Sequence, residues 1–400
     1  MTARAVLVRL HRYAGLTIAL FLIFAGLTGS VIAFNEELDA WLNPSLFRAQ
    51  DSGPALSPDR LVARVEAQLP QAKVAFFSLE DEPGRARQLR VEGKNGAILP
   101  YDEVFADPAS GRILGKRLWG ACCFAPEQLM PFLYIAHYSL KIPGTWGVVL
   151  MGGIALLWTL DCFVGFLLTL PRGRPFPEKW ASAWKIKRPA GGYRLHLDLH
   201  RAGGLWFWLV LFVVASSGVA LNLREQIFRP LVGMVSTLSP SIFDEGSKRL
   251  TATPMPARLT YADAIAQARK EADTDITPVS IFHEPEYGVY GVGFTRAGQS
   301  AETGLGASYF YIDDRNGKLV EKDVMGAGTA GDVYMQAQYP LHSGRILGLP
   351  GRILISVSGL LVAMLSVTGI VIWLRKRQKP ARAAVRLPVP APKEMAYERH

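Results

Sequence analysis

Four long apolar runs dominate the pattern of this chain. Residues 13–34 and 202–223 each hold 22 residues without a charge, and 353–374 is a third such run. Residues 142–170 form a longer run of 29 with one charge, Asp161. Each exceeds the roughly 20 residues that a helix needs to cross hydrocarbon. The pattern therefore predicts a membrane α-helical fold with four transmembrane helices. Between the runs the period changes. Residues 57–69 and 260–271 read as capped amphipathic helices, and 279–294 alternates as a strand does. Asp107-Pro108-Ala109-Ser110-Gly111 and Asp313-Asp314-Arg315-Asn316-Gly317 read as turns between strands, since Asp, Asn and Gly suit turn geometry.

The pattern is written twice. Leu10-His11-Arg12 opens the first run and Leu199-His200-Arg201 the third. Seventeen residues after each His stand a hydroxyl residue and a glycine, Thr28-Gly29 and Ser217-Gly218. The other two runs match more loosely. His137 precedes Pro143-Gly144 and later Gly165, and His342 precedes Pro350-Gly351 and later Thr368-Gly369. Each half thus reads as span, small α+β module, span. Because the repeat includes His11 and its span, the first run is expected to be retained rather than cleaved as a signal peptide.

Charge then gives the orientation. Residues 1–12 carry three Arg and no acid, the loop 171–201 eight basic residues against two acids, and the tail from 375 again eight against two. These segments are expected in the cytoplasm. Segments 35–136 and 224–341 each hold eleven basic residues against fourteen and fifteen acids, and belong outside. The net charge of +10 is therefore a topology signal, with no outer basic patch left for nucleic acid. Of three cysteines, Cys162 reads as an apolar filler within a span. Cys122 and Cys123 are external and adjacent, as a vicinal disulfide or as two thiols. The CxxCH spacing of covalent haem attachment is absent.

The two Leu-His-Arg openings, the two Asp-x-x-x-Gly turns, and Tyr339-Pro340-Leu341-His342-Ser343-Gly344 with Leu349-Pro350-Gly351-Arg352 resemble the PepSY-associated transmembrane-helix family, also called iron-regulated membrane proteins. The resemblance covers about residues 5–378. It implies a di-haem ferric-siderophore reductase of the bacterial inner membrane. It also makes the two external modules PepSY-like periplasmic α+β domains. The expected organisation is a first transmembrane helix (1–34), a PepSY-like domain (35–136), a second transmembrane helix with its preceding His segment (137–170) and a cytoplasmic loop (171–199). A third transmembrane helix (200–223), a second PepSY-like domain (224–341), a fourth transmembrane helix with its preceding His segment (342–374) and a disordered cytoplasmic tail (375–400) follow.

Five of the seven histidines cluster at span entrances. Ionisable residues at membrane depth are costly, which makes them functional candidates. Imidazole is a good axial ligand for haem iron, and a b-type haem needs only two such groups facing each other from neighbouring helices. The repeat pairs His11 with His200 for an inner haem and His137 with His342 for an outer one. A span rises roughly 33 Å over 22 residues, so one haem cannot touch both sets. His196, one turn before His200, is an alternative inner ligand or a partner for a propionate. Arg345 is a candidate partner for a propionate or an anionic chelate. Gly15, Gly26, Gly29, Gly203, Gly204, Gly218, Gly359 and Gly369 would allow close approach of helices or of a flat macrocycle. Asp161 has no assigned role, and His283, beside Glu284 and Glu286, reads as a surface or internally satisfied residue.

Two functions follow. One is transmembrane electron transfer from a cytoplasmic reductase, a flavin or a quinol to a periplasmic ferric siderophore, which releases iron on reduction to Fe(II). The other is a haem-free, membrane-anchored binding or regulatory module. The loop 171–199 is too short for a flavin or nicotinamide domain, so the electron donor must be a separate molecule. Gly326-Ala327-Gly328-Thr329-Ala330-Gly331 spells a dinucleotide fingerprint but lacks its βαβ context, and reads as a lead-in to His342. Trp41, Trp119, Phe132, Tyr134, Tyr138, Trp146 and Tyr339 form an outer aromatic belt or a platform for the acceptor.

Overall fold

The computed structural model describes residues 2–187, 191–244, 247, 249–251, 255–300 and 303–383. The chain opens with α1 (Ala3–Ile32), which starts ahead of the uncharged run so that its arginines lie within the helix. The Thr2 side chain accepts from the Ala5 N–H. Arg4 donates to the carbonyls of Leu168 (2.6 Å) and Leu170 (3.0 Å), groups that a helix end would otherwise leave unpaired. Three short helices follow, α2 (Asn35–Leu42), α3 (Pro44–Phe47) and α4 (Pro58–Gln68), then β1 (Ala72–Ser78), β2 (Arg87–Gly93), β3 (Glu103–Ala106) and β4 (Ile113–Arg117). The chain returns through α5 (Pro126–Ser139) and α6 (Trp146–Thr169). The short α7 (Phe176–Ala181) leads to α8 (Gly192–Trp206) and α9 (Trp208–Asn222). The second half runs through α10 (Arg229–Gly233), α11 (Tyr261–Glu271), β5 (Ile276–Glu284), β6 (Val289–Arg296), β7 (Ser308–Asp313) and β8 (Leu319–Asp323). It ends with α12 (Ala330–Gln336), α13 (Gln338–Ser343) and α14 (Gly348–Ala383).

Among the described residues α1, α6 and α14 are each long and apolar enough to cross a membrane, and α8 with α9 makes a fourth candidate as a pair bent by 72°. This corrects the expectation of a single unbroken third span. Two indoles flank the break and are held by different partners. Trp206 donates to the Trp184 carbonyl of the preceding loop (3.2 Å), whereas Trp208 donates to the Cys162 carbonyl of α6 (2.9 Å). The tail expected to be disordered from 375 instead continues α14 through Ala383, and its remainder lies outside the described residues. α1 and α14 cross at Gly26 and Gly359, where a Cβ on either would fall 2.4 Å from the other's carbonyl oxygen. Ser30 and Ser356 exchange hydrogen bonds to each other's carbonyls beside that crossing (2.7 and 3.0 Å). Small residues of this kind are what allow membrane helices to pack closely.

All eight strands form one antiparallel sheet in the order β4-β3-β2-β1-β5-β6-β7-β8. The two modules expected as separate domains are therefore joined edge to edge, with Phe76 opposite Phe282, Phe77 opposite Ile281 and Ser78 opposite Ser280. They also share one core. Leu61 and Val65 of α4 and Ala264 and Ala268 of α11 lie in the same buried cluster as Val74, Leu89, Val104, Ile281, Val292 and Ile312. Burying each such aliphatic side chain contributes about 1.5–3 kcal/mol. The Tyr261 hydroxyl donates to the Val74 carbonyl, and the Ala262 N–H to Asp59, so polar contacts cross the seam as well. The alternation over 279–294 is two strands of a hairpin, β5 and β6, turning at Gly288 (φ +62°).

Both predicted turns are present. Asp107 accepts from the backbone N–H groups of Gln50, Asp51, Ala109 and Ser110, and Asp313 from those of Arg315 and Asn316. Burial pushes the Asp107 carboxyl up, but these N–H groups outweigh it and hold the group below its ordinary range. Arg117 fixes the sheet to the helices. It pairs with Glu103, donates twice to Asp39 of α2 (3.0 and 2.6 Å) and once to the Glu127 carbonyl of α5 (2.8 Å). All three charged groups are buried, a costly arrangement that holds only while each partner is present.

Candidate functional site

The first pair of histidines comes from the interior of two helices that belong to the candidate spans. His11 and His200 each lie eight residues past the first residue of α1 and α8, two turns inside the helix rather than at its mouth. Their ring centroids are 6.0 Å apart. The second pair does not sit on the spans. His137 is near the end of α5 and His342 near the end of α13, short helices that precede α6 and α14. Both short helices end in a left-handed residue, Leu140 (φ 53°) and Gly344 (φ 77°). The ring centroids of this second pair are 6.2 Å apart.

One hydrogen-bonding rule governs all four rings. Nδ1 of His11 lies 2.9 Å from both Asp161 oxygens. Nδ1 of His137 lies 3.0 Å from the Thr28 hydroxyl, and Nδ1 of His342 lies 3.0 Å from the Ser217 hydroxyl and 3.2 Å from the Val214 carbonyl. Nδ1 of His200 meets the Leu365 carbonyl (2.9 Å) and the Thr368 hydroxyl (3.1 Å). The three hydroxyls already donate to backbone carbonyls one turn back, Thr28 to Phe24, Ser217 to Val213 and Thr368 to Met364. They are therefore acceptors toward the rings, as a carboxylate and a carbonyl must be. Every Nδ1 is therefore the donor in its contact, which leaves Nε2 as the ring nitrogen that a ligand could take. Such a partner on the far nitrogen is what orients metal-bound imidazoles.

A glycine faces each ring. A Cβ would fall 3.0 Å from Cε1 of His137 at Gly29, 3.5 Å from that of His11 at Gly165, 3.7 Å from that of His342 at Gly218 and 3.4 Å from that of His200 at Gly369. The spacing that marked the repeat, a hydroxyl and a glycine, is therefore a seat for an imidazole. Gly26 and Gly359 serve helix crossing instead, Gly203 packs against Met364, and Gly15 and Gly204 face open space.

The remaining candidates divide clearly. His196 is not part of the pair with His11. Its Nδ1 is buried and has no hydrogen-bond partner among the described residues. Arg345 donates to Glu36 (2.9 Å) and lies 5.8 Å from the Tyr339 ring, while Arg352 clasps Glu37 with two bonds of 2.6 Å. His283 is internally satisfied, between Asp314 (2.9 Å) and Lys73 (3.2 Å) and stacked on Tyr290. Cys122 and Cys123 place their sulfurs side by side. Trp119, Tyr134 and Tyr138 form a run of edge-on rings 6.0 and 6.1 Å apart leading to the second pair, whereas Trp41 and Trp146 are exposed. Gly326 to Gly331 leads into α12, capped by Thr329 and Asp332, and so toward α13 and His342.

Sequence reasoning missed the acceptors. Thr28, Ser217 and Thr368 were visible as repeated positions without a reason for the hydroxyl. Asp161 was visible only as an anomaly, since Gly165 has no hydroxyl before it and the carboxylate one turn earlier supplies the acceptor instead. A comparison with curated proteins returns no match. The description PepSY-associated TM region fits residues 8–376, nearly all of the segment that carries both histidine pairs, and the chain belongs to that family.

Proposed function

We propose that the protein moves electrons across the bacterial inner membrane, from a cytoplasmic reductase, a flavin or a quinol to a ferric siderophore in the periplasm. In this reading it has four spans, both termini in the cytoplasm, and two PepSY-like modules from an internal duplication. His11 and His200 would hold an inner b-type haem, and His137 and His342 an outer one. The observation that carries the reading is the common state of the four rings, each with Nδ1–H bonded and Nε2 free.

The residues present fit that group. A metal between two imidazole nitrogens at about 2 Å from each sets ring centroids about 6 Å apart, as both pairs have them. Among the described residues no three or more His, Cys, Asp or Glu gather as they would for a bare ion. Each pair offers two imidazoles, the protein donors that would hold a b-type haem. When bound, haem supplies a one-electron redox centre whose potential the protein tunes. The chain's own part is to orient the rings, keep water from them and separate the pairs. Thr28, bonded to His137, lies 17 residues along α1 from His11, roughly 25 Å. The siderophore as acceptor rests on the family resemblance and on the aromatic run of Trp119, Tyr134 and Tyr138.

Purified protein is expected to show a reduced b-type spectrum with two haems per chain, and His137→Ala to retain one. A colourless preparation after haem-supplied expression would sink the proposal. Mixing the reduced protein with several ferric chelates in stopped flow tests the acceptor, and reoxidation by none of them removes the siderophore.

A further inference from the structure

Three of the four rings donate to neutral oxygen, and one donates to a carboxylate. Asp161 lies well inside α6 and is 9% exposed, and its hydrogen bonds are to His11 alone among the described residues. A carboxylate at such depth costs several kcal/mol unless a positive charge lies near. The equivalent place in the second half, one turn before Gly369, is Leu365, which offers only its carbonyl to His200. The two halves therefore differ in charge at the position that matters most for a bound metal.

We propose that Asp161 is a positioning residue that lowers the reduction potential of the inner centre below that of the outer one, and so gives the electron its outward direction. The inference rests on the haem reading above. Two effects act in the same sense. A carboxylate accepting the Nδ1–H makes the imidazole a stronger donor at Nε2, and a stronger donor stabilises the ferric over the ferrous state. Its negative charge, little screened within the bilayer, also favours the iron state with one more positive charge. The outer rings have only Thr28, Ser217 and a carbonyl, so their centre keeps the higher potential. Each transfer moves one electron from a ferrous inner to a ferric outer centre. With haem held at both pairs, the inner centre would be oxidised and the outer reduced, with no bond made or broken.

The test is a spectroelectrochemical titration of the haem-loaded protein. Asp161→Asn keeps an oxygen acceptor of the same size for Nδ1–H, so a purely structural role would leave the potential where it is. The expected result is a rise of the lower potential by about 60 mV, a tenfold fall in the ratio of ferric to ferrous affinity. The higher potential should stay unmoved, and Asp161→Glu should restore the gap. An unmoved lower potential with both haems present overturns the inference, as does a shift confined to the higher one. Should the Asn variant fail to fold, the single-haem variants decide with Asp161 in place. The inner haem of His137→Ala must titrate below the outer haem of His11→Ala, and the reverse order overturns the inference. A protein with no haem fails earlier, in its absorption spectrum, and takes the underlying reading with it.

Discussion

The two histidine pairs are alike in spacing and tautomer and different in support. His11 and His200 lie on the candidate spans themselves, α1 and α8, and a buried carboxylate touches one ring. His137 and His342 ride on α5 and α13, helices that pack on the spans and are also joined to α2, the sheet and α12. Arg117 ties α5 to the sheet and α2, and Asp332 caps α12, which runs on into α13. Both pairs are seated on the spans, but only the second is also tied to the sheet, through Arg117 and α5. A perturbation of the sheet should therefore reach the second pair and leave the first in place.

The largest effect expected is on the inner pair. His200→Ala should remove the inner haem entirely and leave the outer one, while His196→Ala retains both in a pyridine haemochrome assay. Loss of haem in the His196 variant alone would reverse the assignment. Next comes Arg117→Met, which strands Asp39 and Glu103 without their cation and should cost about 3–5 kcal/mol. On heating, the outer haem should dissociate first in this variant and the inner haem at its usual temperature. Simultaneous loss would show that the pairs are not independently supported. The smallest effect is that of acid. Burial pushes the Asp332 carboxyl up, but N–H and hydroxyl groups of Ser239 and Thr329 outweigh it and hold it down at about 2. A group lowered in the folded state stabilises above its ordinary pKa of about 3.9, and that contribution is lost as pH falls from about 4 toward 2. The Soret band of the outer haem should weaken over that window before the inner one does.

Much of this comparison was legible in the sequence, because it rests on local pattern. The apolar runs located the spans, and the doubled Leu-His-Arg and hydroxyl-glycine spacing found the pairs. Asp-x-x-x-Gly marked both turns through chemistry confined to five residues. What escaped depends on contacts between distant parts of the chain. His11 meets Asp161 across 150 positions, and Phe76 meets Phe282 across the seam of the sheet. No period or cap in either segment encodes such a partner. The bend at Phe207 was hidden for the same reason, since it follows from where two neighbouring indoles find carbonyls.

The seam between β1 and β5 has a consequence for how such a chain can be divided. Cut between α6 and α8, each fragment keeps two apolar helical segments and four strands, and each loses the neighbour of its innermost strand. A bare strand edge is a template for another chain. Because the strand order reads the same from both ends, the surface exposed on one fragment matches its counterpart on the other. The two pieces would be natural partners for reassembly in the bilayer, and two copies of one piece natural competitors.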